Sequence, residues 1–354
     1  MDRKTLFTSI ENGKFEQIYL FAGPEAHIRR EAEKKLVDKL MPPGLDTLNM
    51  NVLSNPDVQQ IKESCETMPF LAERRLVIVR ELSLLGKAGN DNKKAEGKAE
   101  EKSGSREVDD LIAYLGKLPE TTCLLIDGGE GIDKRKKLSK YLTGLEGFVE
   151  FLPLDDQELA KWIRQQAKRN GNTIRPETVE RLVFLSGRDL TILGGEIGKL
   201  TALAGDGNEI TTEHVDEIVV RTSEAQVFEM IDALLDGKTD VAMRMSNQLL
   251  QSGEGRIGIL ALITRQMRQM FYAAVMKQER KPSQEIAKAL GVPNFIVGKI
   301  LTRAGRYTTE KLGELLTMCV KADYDIKSGK VREESSYEQL LLSLTLASDR
   351  YKRK

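Results

Sequence analysis

Histidine is nearly absent from this chain: His27 and His214 are the only two in 354 residues. Imidazole-based acid–base catalysis and multi-histidine metal centres therefore have almost nothing to be built from. Cysteine is scarce as well. Cys65, Cys123 and Cys319 lie far apart, without the paired spacing of a zinc site, and each sits among apolar neighbours. That pattern fits reduced, buried thiols and not a disulfide framework. Net charge is missing too: 54 basic residues balance 54 acidic ones, which argues against a protein whose main task is gripping nucleic acid. No apolar run approaches the roughly 18 residues of a membrane span, and the opening MDRKTLFTSIENGKFEQ lacks the apolar stretch of a signal peptide. A cytoplasmic protein with no membrane partner is expected.

What is present suits a soluble, helix-rich protein with true cores, since 40% of the residues are apolar and 31% charged. The length implies about two or three domains of roughly 100 to 200 residues each. Up to residue 153 strand and helix patterns alternate. Short, continuous apolar runs at 17–21, 48–53, 75–81, 121–127 and 148–152 read as strands buried on both faces. Between them Ile28, Ala32, Leu36, Val37 and Leu40 recur at helical spacing, as do Val58, Ile61, Cys65 and Met68. This predicts a parallel sheet covered by helices, an α/β domain over 1–153.

Within that domain residues 86–106, GKAGNDNKKAEGKAEEKSGSR, hold almost nothing apolar beyond alanine, so a mobile surface loop is expected there. From about Leu154 the pattern is wholly helical. A small helical domain over 154–222 and an all-α bundle over 223–354 follow, with Leu312, Leu315, Leu316, Cys319, Val320 and Tyr324 expected to line one helix face.

Four segments have the outline of functional motifs. A strand, a glycine and a helix in IYLFAGPEAHIRREAEKKL stand where a phosphate-binding loop would, but Gly23 is followed by Pro24 and Glu25 with no GK[ST]. Pro24 removes an amide donor and Glu25 repels phosphate, so the expectation is an ATPase-like fold without ATP chemistry and without a cofactor. Asp127, after the strand CLLID, has no phosphate-bound magnesium to hold. The run after it, Lys134, Arg135, Lys136 and Lys137, reads either as a solvated helix start or as a contact to DNA phosphates or an acidic partner.

The third segment is NPDVQQIKESCETMPFLAERRLVIVREL. A helix starting near Asn55-Pro56-Asp57 must end before Pro69, and directly beyond it Met68, Phe70 and Leu71 occupy a helix-to-strand turn, where polar residues are usual. They either tuck back onto the sheet or form an exposed hydrophobic plug. As a plug, each would contribute roughly 1.5–3 kcal/mol on burial in a partner's pocket. The fourth segment, SQEIAKALGVPNFIVGKIL, has a helix-turn-helix outline around Gly291. Its second helix opens on Pro293, Asn294, Phe295 and Ile296, which suits packing in a bundle better than reading base edges. If it did bind DNA, Asn294 and Lys299 would be the side chains to test.

Taken together, YLFAGPE, MPFLAERRLVIV, DGGEGIDKRKKLSKYL, EIGKLTALAGDGNEITTEHV, FEMIDALLDGK, ITRQMRQM, EIAKALGVPNFIVGKIL and ADYDIKSGK occur in order over nearly the whole chain. This set resembles the delta subunits of bacterial DNA polymerase III. The resemblance implies an ATPase-like (AAA+ type) first domain without a functional phosphate loop, a helical lid and a C-terminal helical collar. It implies a non-catalytic clamp-loader subunit that binds and opens the sliding clamp (beta) for loading on primed DNA. It further implies that Met68, Phe70 and Leu71 enter the clamp, and that the collar assembles with gamma/tau and delta prime subunits. Read from the motifs alone, the alternatives are an active P-loop ATPase and a helix-turn-helix DNA-binding protein.

Overall fold

The computed structural model describes residues 1–41, 44–86 and 98–349. It forms two compact units, Met1–Leu154 and Asp155–Lys354.

The first unit is built on a five-stranded parallel sheet: β1 Ile18–Ala22, β2 Met50–Ser54, β3 Arg75–Arg80, β4 Thr122–Asp127 and β5 Phe148–Glu150, in spatial order β2-β3-β4-β1-β5. All five lie where apolar runs predict them. The central strands β3 and β4 carry four or more consecutive buried residues, as strands covered on both faces require. Alternation divides those residues between the faces. Leu20, Val77, Val79, Leu124 and Ile126 pack with Ile61 and Cys65 of the Val58–Glu66 helix, Leu111 and Leu115 of the Lys98–Leu115 helix, and Leu138 and Leu142 of the Lys137–Thr143 helix. The opposite set, including Tyr19, Phe21, Leu76, Ile78 and Leu125, is equally buried, and Phe21 meets Tyr19 and Phe151 edge-on at 5.6 and 5.2 Å. Buried Ile28, Ala32 and Leu36 of the Ala26–Leu40 helix and Leu6 and Ile10 of the Arg3–Glu11 helix complete this unit's core.

The low-apolar segment is corrected in part. Residues 87–97 lie outside the described residues, whereas Lys98–Arg106, expected in the same mobile loop, belong to the Lys98–Leu115 helix. Alanine, glutamate, lysine and arginine favour helix intrinsically, and the buried Leu111 and Leu115 anchor the turns that precede them.

The second unit is almost entirely helical, with helices Asp156–Arg169, Pro176–Ser186, Leu190–Ala204, Thr212–Ile218, Ser223–Leu235, Thr239–Gln251, Arg256–Gln278, Ser283–Leu290, Asn294–Ala304, Thr309–Lys327 and Glu333–Asp349. Pro176 opens its helix at a position where the missing N–H has no cost. Asp155, Asp189, Thr211, Thr222 and Thr308 each cap a helix start by accepting backbone N–H bonds.

Two details depart from the expectation. Thr173–Ile174 and Glu209–Ile210 form a short parallel strand pair, held where the Asn172 amide donates to the carbonyls of Gly205 and Asn208 at 2.7 and 3.0 Å. In the Thr309–Lys327 helix Leu312, Leu315 and Cys319 are buried, but Val320 and Tyr324, expected on the same inner face, are exposed. The apolar stripe in the sequence runs past the stretch that neighbouring helices cover.

Candidate functional site

The Val58–Glu66 helix starts with a reciprocal capping box. Asp57 accepts from the Gln60 N–H at 2.8 Å, and the Gln60 side chain accepts from the Asp57 N–H at 3.0 Å. Ile61 and Cys65 face the sheet, and the buried Thr122 hydroxyl donates to the Cys65 carbonyl at 2.7 Å near the helix end. Thr67 then adopts extended geometry and ends the helix, one residue before Met68, where Pro69 disfavours helical backbone.

Beyond it the chain turns back toward β3 with three large apolar side chains in solvent. Met68 is 82% exposed, Phe70 57% and Leu71 76%. They do not tuck back onto the sheet. Leu71 also has φ +52°, a left-handed conformation that a branched side chain occupies at a cost of about 1–2 kcal/mol.

The backbone under these side chains is held firmly. Asn49 is fully buried; its carbonyl oxygen accepts from the Phe70 N–H at 2.6 Å, while its amide donates to the Phe70 and Leu45 carbonyls at 2.9 and 3.0 Å. At the far end of the turn the buried Arg75 guanidinium donates to the carbonyls of Ser64 and Leu48 and to Asn51 Oδ1, at 3.1, 3.3 and 2.9 Å. One buried amide and one buried guanidinium thus tie the helix end, the turn and β2 together.

The position of a phosphate-binding loop is filled by the protein itself. The Gly23 N–H donates to the Gly129 carbonyl at 2.9 Å and the Glu25 N–H to the Phe151 carbonyl at 3.0 Å, while Pro24 has no N–H to offer. Gly23 lies at φ +124°, and a Cβ there would strike the Phe151 carbonyl. Arg29 donates to the Gly23 carbonyl and its Nε lies 2.9 Å from the Asp127 carboxylate, which also accepts from the Gly129 N–H at 2.9 Å. Backbone donors that would cradle a phosphate are satisfied internally, and the acid that would serve magnesium is paired with an arginine. Among the described residues no group of three or more His, Cys, Asp or Glu side chains is arranged to hold a metal ion.

The basic run is largely spent on local pairs. Lys134 meets Glu150 at 2.9 Å, Arg135 meets the half-buried Asp133 at 2.9 Å and Lys137 meets Asp109 at 2.6 Å. Arg135 holds the Asp133 carboxyl below its usual range. Lys136 is exposed at the start of the Lys137–Thr143 helix. In the helix-turn-helix outline Gly291 takes the left-handed turn, but the second helix buries Val297 and Ile300, and its first N–H, on Asn294, is taken by the Asp156 carboxylate at 3.1 Å. That helix packs within its own unit.

Comparison with known proteins gives these features a family. Residues 19–151 match the family model of the DNA polymerase III delta subunit, and residues 224–344 match that of its C-terminal domain. The chain belongs to the DNA polymerase III delta subunit family. It is 28% identical over 342 residues to the DNA polymerase III subunit delta of Bacillus subtilis, covering 96% of both chains. It is 21% identical over 186 residues to a probable delta subunit of Aquifex aeolicus, covering 52% of this chain and 53% of that one. The structure of a Bacillus subtilis DNA clamp loader delta protein superposes with a TM-score of 0.56 at 27% identity, covering 97% of this chain and 99% of that one. The chain is thus a clamp-loader component of the replication machinery.

Against that family background the turn at 68–71 was visible in the sequence, but Asn49, Arg75 and Arg29 were not. A polar residue inside an otherwise apolar stretch was the one available signal, and Asn49 beside Leu48 and Arg75 before LVIV both show it.

Proposed function

We propose that the chain binds the sliding clamp through Met68, Phe70 and Leu71, and helps to open the ring for loading on primed DNA. The observation that carries this is the combination of three solvent-exposed apolar side chains with a backbone pinned by buried Asn49. An apolar tip on a rigid support loses little conformational freedom when it binds, so most of its burial free energy is available for the interface. Opening needs more than a grip: a ligand shifts a closed ring toward its open form only by binding the open form more tightly. In this reading the tip anchors one clamp protomer and the helix Val58–Glu66 beside it fits the opened interface better than the closed one.

The chain acts without chemistry of its own. With the loop donors satisfied by Gly129 and Phe151 and Asp127 paired to Arg29, ATP acts through neighbouring loader subunits. Residues 1–153 serve as the clamp-binding domain, 154–222 as a lid, and 223–354 as a collar that assembles with gamma/tau and delta prime subunits. Lys136, on the exposed basic run, is the side chain there with the greatest freedom to approach DNA. The protein works in the cytoplasm, at the replisome.

Capture of the sliding clamp by the immobilised chain, with and without ATP, tests the proposal. Equal retention of the clamp in both conditions is expected, with no ATP hydrolysis by the chain alone. Failure to retain the clamp in either condition contradicts the binding role, and hydrolysis contradicts the non-catalytic one.

A further inference from the structure

A second constellation lies in the helical unit, far in sequence from the turn. The helices Pro176–Ser186, Ser223–Leu235 and Asn294–Ala304 line an open cavity of about 630 Å³, a volume typical of small-molecule sites. Its apolar part is aromatic: Phe184 and Phe228 meet edge-on at 4.9 Å, and Phe295 lies beside them. Its polar part sets the cations Arg181, Lys299, Arg303 and Arg306 against the carboxylates Glu229 and Asp232.

Most of these cations have carboxylate partners. Arg181 meets Asp216 at 2.6 Å, Arg306 meets Asp236 at 2.7 Å, and Arg303 is bound to Asp232 while its guanidinium lies 3.6 Å from the Phe228 ring centroid. Lys299 differs. Among the described residues no carboxylate lies within ion-pairing distance of it, and its ammonium sits over the Phe184 ring at 4.2 Å. Arg181 lies 5.6 Å from the centroid of the same ring. Burial holds the Lys299 ammonium below its usual pKa, Arg181 and Arg303 push it the same way, and Glu180 and Asp216 oppose them in part. Cations converge here on an aromatic wall, and Lys299 has only the more distant Glu180 and Asp216 to offset them, so an anion in the cavity would relieve the remaining repulsion.

We propose that this cavity binds a phosphorylated small molecule, with Lys299 as the principal phosphate ligand, Arg181 and Arg306 beside it, and Phe295 against the ligand's body. A lysine ammonium recognises phosphate as a point charge, which suits a solvent-open cavity. The mixture of an aromatic wall with a few convergent cations distinguishes it from a solvated basic face, which would lack the wall. Because the three helices all contribute, occupancy would fix them against one another. The inference is independent of the clamp-binding proposal.

The test is calorimetric titration of the full chain with inorganic phosphate, pyrophosphate and ATP, at ionic strength held constant with sodium chloride. Saturable binding of at least one probe is expected. Lys299→Gln should weaken it by roughly tenfold to a hundredfold and Lys299→Arg by about threefold or less. Stronger binding of ATP than of pyrophosphate would assign the aromatic wall to a nucleotide base; equal binding would assign the site to the phosphate alone, and either supports the proposal. Lys299 holds no core position and no ion pair that the substitution would break, so circular dichroism of the Gln variant should match the parent. Heats that do not saturate with any probe, affinity unaffected by Lys299→Gln, or binding of an acidic peptide but of none of the three probes would each overturn it.

Discussion

The side-chain amide of Asn49 both donates to and accepts from the backbone of Phe70, at 2.9 and 2.6 Å, across 21 residues of sequence. Asn49 is buried and Phe70 is exposed, so one residue spends its polar groups to hold the other's apolar group out of the core. This pair explains how a turn rich in apolar side chains stays in solvent and does not collapse onto the sheet.

Asn49→Ala should therefore lower stability and clamp affinity together. Its loss leaves the Phe70 N–H and two carbonyls short of partners, at a cost of about 1–3 kcal/mol per unsatisfied buried group. Thermal denaturation should show a midpoint several degrees lower, and clamp affinity should fall although Met68, Phe70 and Leu71 are all intact. Unchanged clamp affinity in the variant would mean that the turn needs no such support.

Leu71→Gly should separate fold from function. Glycine accepts φ +52° without the penalty that leucine meets, a relief of about 1–2 kcal/mol that the greater freedom of glycine in the unfolded chain partly offsets. Stability to denaturant should hold or rise while clamp binding weakens. A variant that lost stability would show that the Leu71 side chain belongs to this chain's own packing.

At the filled loop Gly23→Ala should be far more damaging than a small change suggests. The added methyl meets the Phe151 carbonyl at a backbone angle that disfavours any side chain, and roughly 2–4 kcal/mol is expected from the two effects together. A melting temperature equal to the parent's would contradict the close approach described.

The three thiols give a pH signature. Burial pushes Cys65, Cys123 and Cys319 up from an ordinary 9.0 to about 12. Above pH 9 the unfolded chain releases thiol protons that the folded chain keeps. The thiol contribution to stability is thus complete below pH 9 and is lost as the pH rises from 9 toward 12. A thiol-specific reagent at pH 8 should label these cysteines only after denaturant is added; prompt labelling of the folded protein would contradict their burial.

Much of the fold was legible because its signals are local. The strands announce themselves as short continuous apolar runs, and the wholly helical pattern after Leu154 becomes a unit built almost entirely of helices. The exposed turn was legible because Pro69 must end a helix where the sequence then places Met68, Phe70 and Leu71. What stayed hidden depends on chain-distant contacts. Nothing near Asn49 points to Phe70, and nothing near Arg29 points to Asp127. Lys98–Arg106 was misread because composition alone cannot show that Leu111 and Leu115 anchor the helix they continue into. Val320 and Tyr324 were misread because a stripe shows which residues are apolar, not how far a neighbour reaches.

Clamp binding through an apolar tip on a rigid turn is tested by measuring the affinity of the full chain for the sliding clamp beside that of the Phe70→Ala/Leu71→Ala double variant. At roughly 1.5–3 kcal/mol for each buried side chain, the account predicts a loss of about a hundredfold or more, with the melting temperature of the variant unchanged. Clamp affinity that survives the double substitution would contradict it.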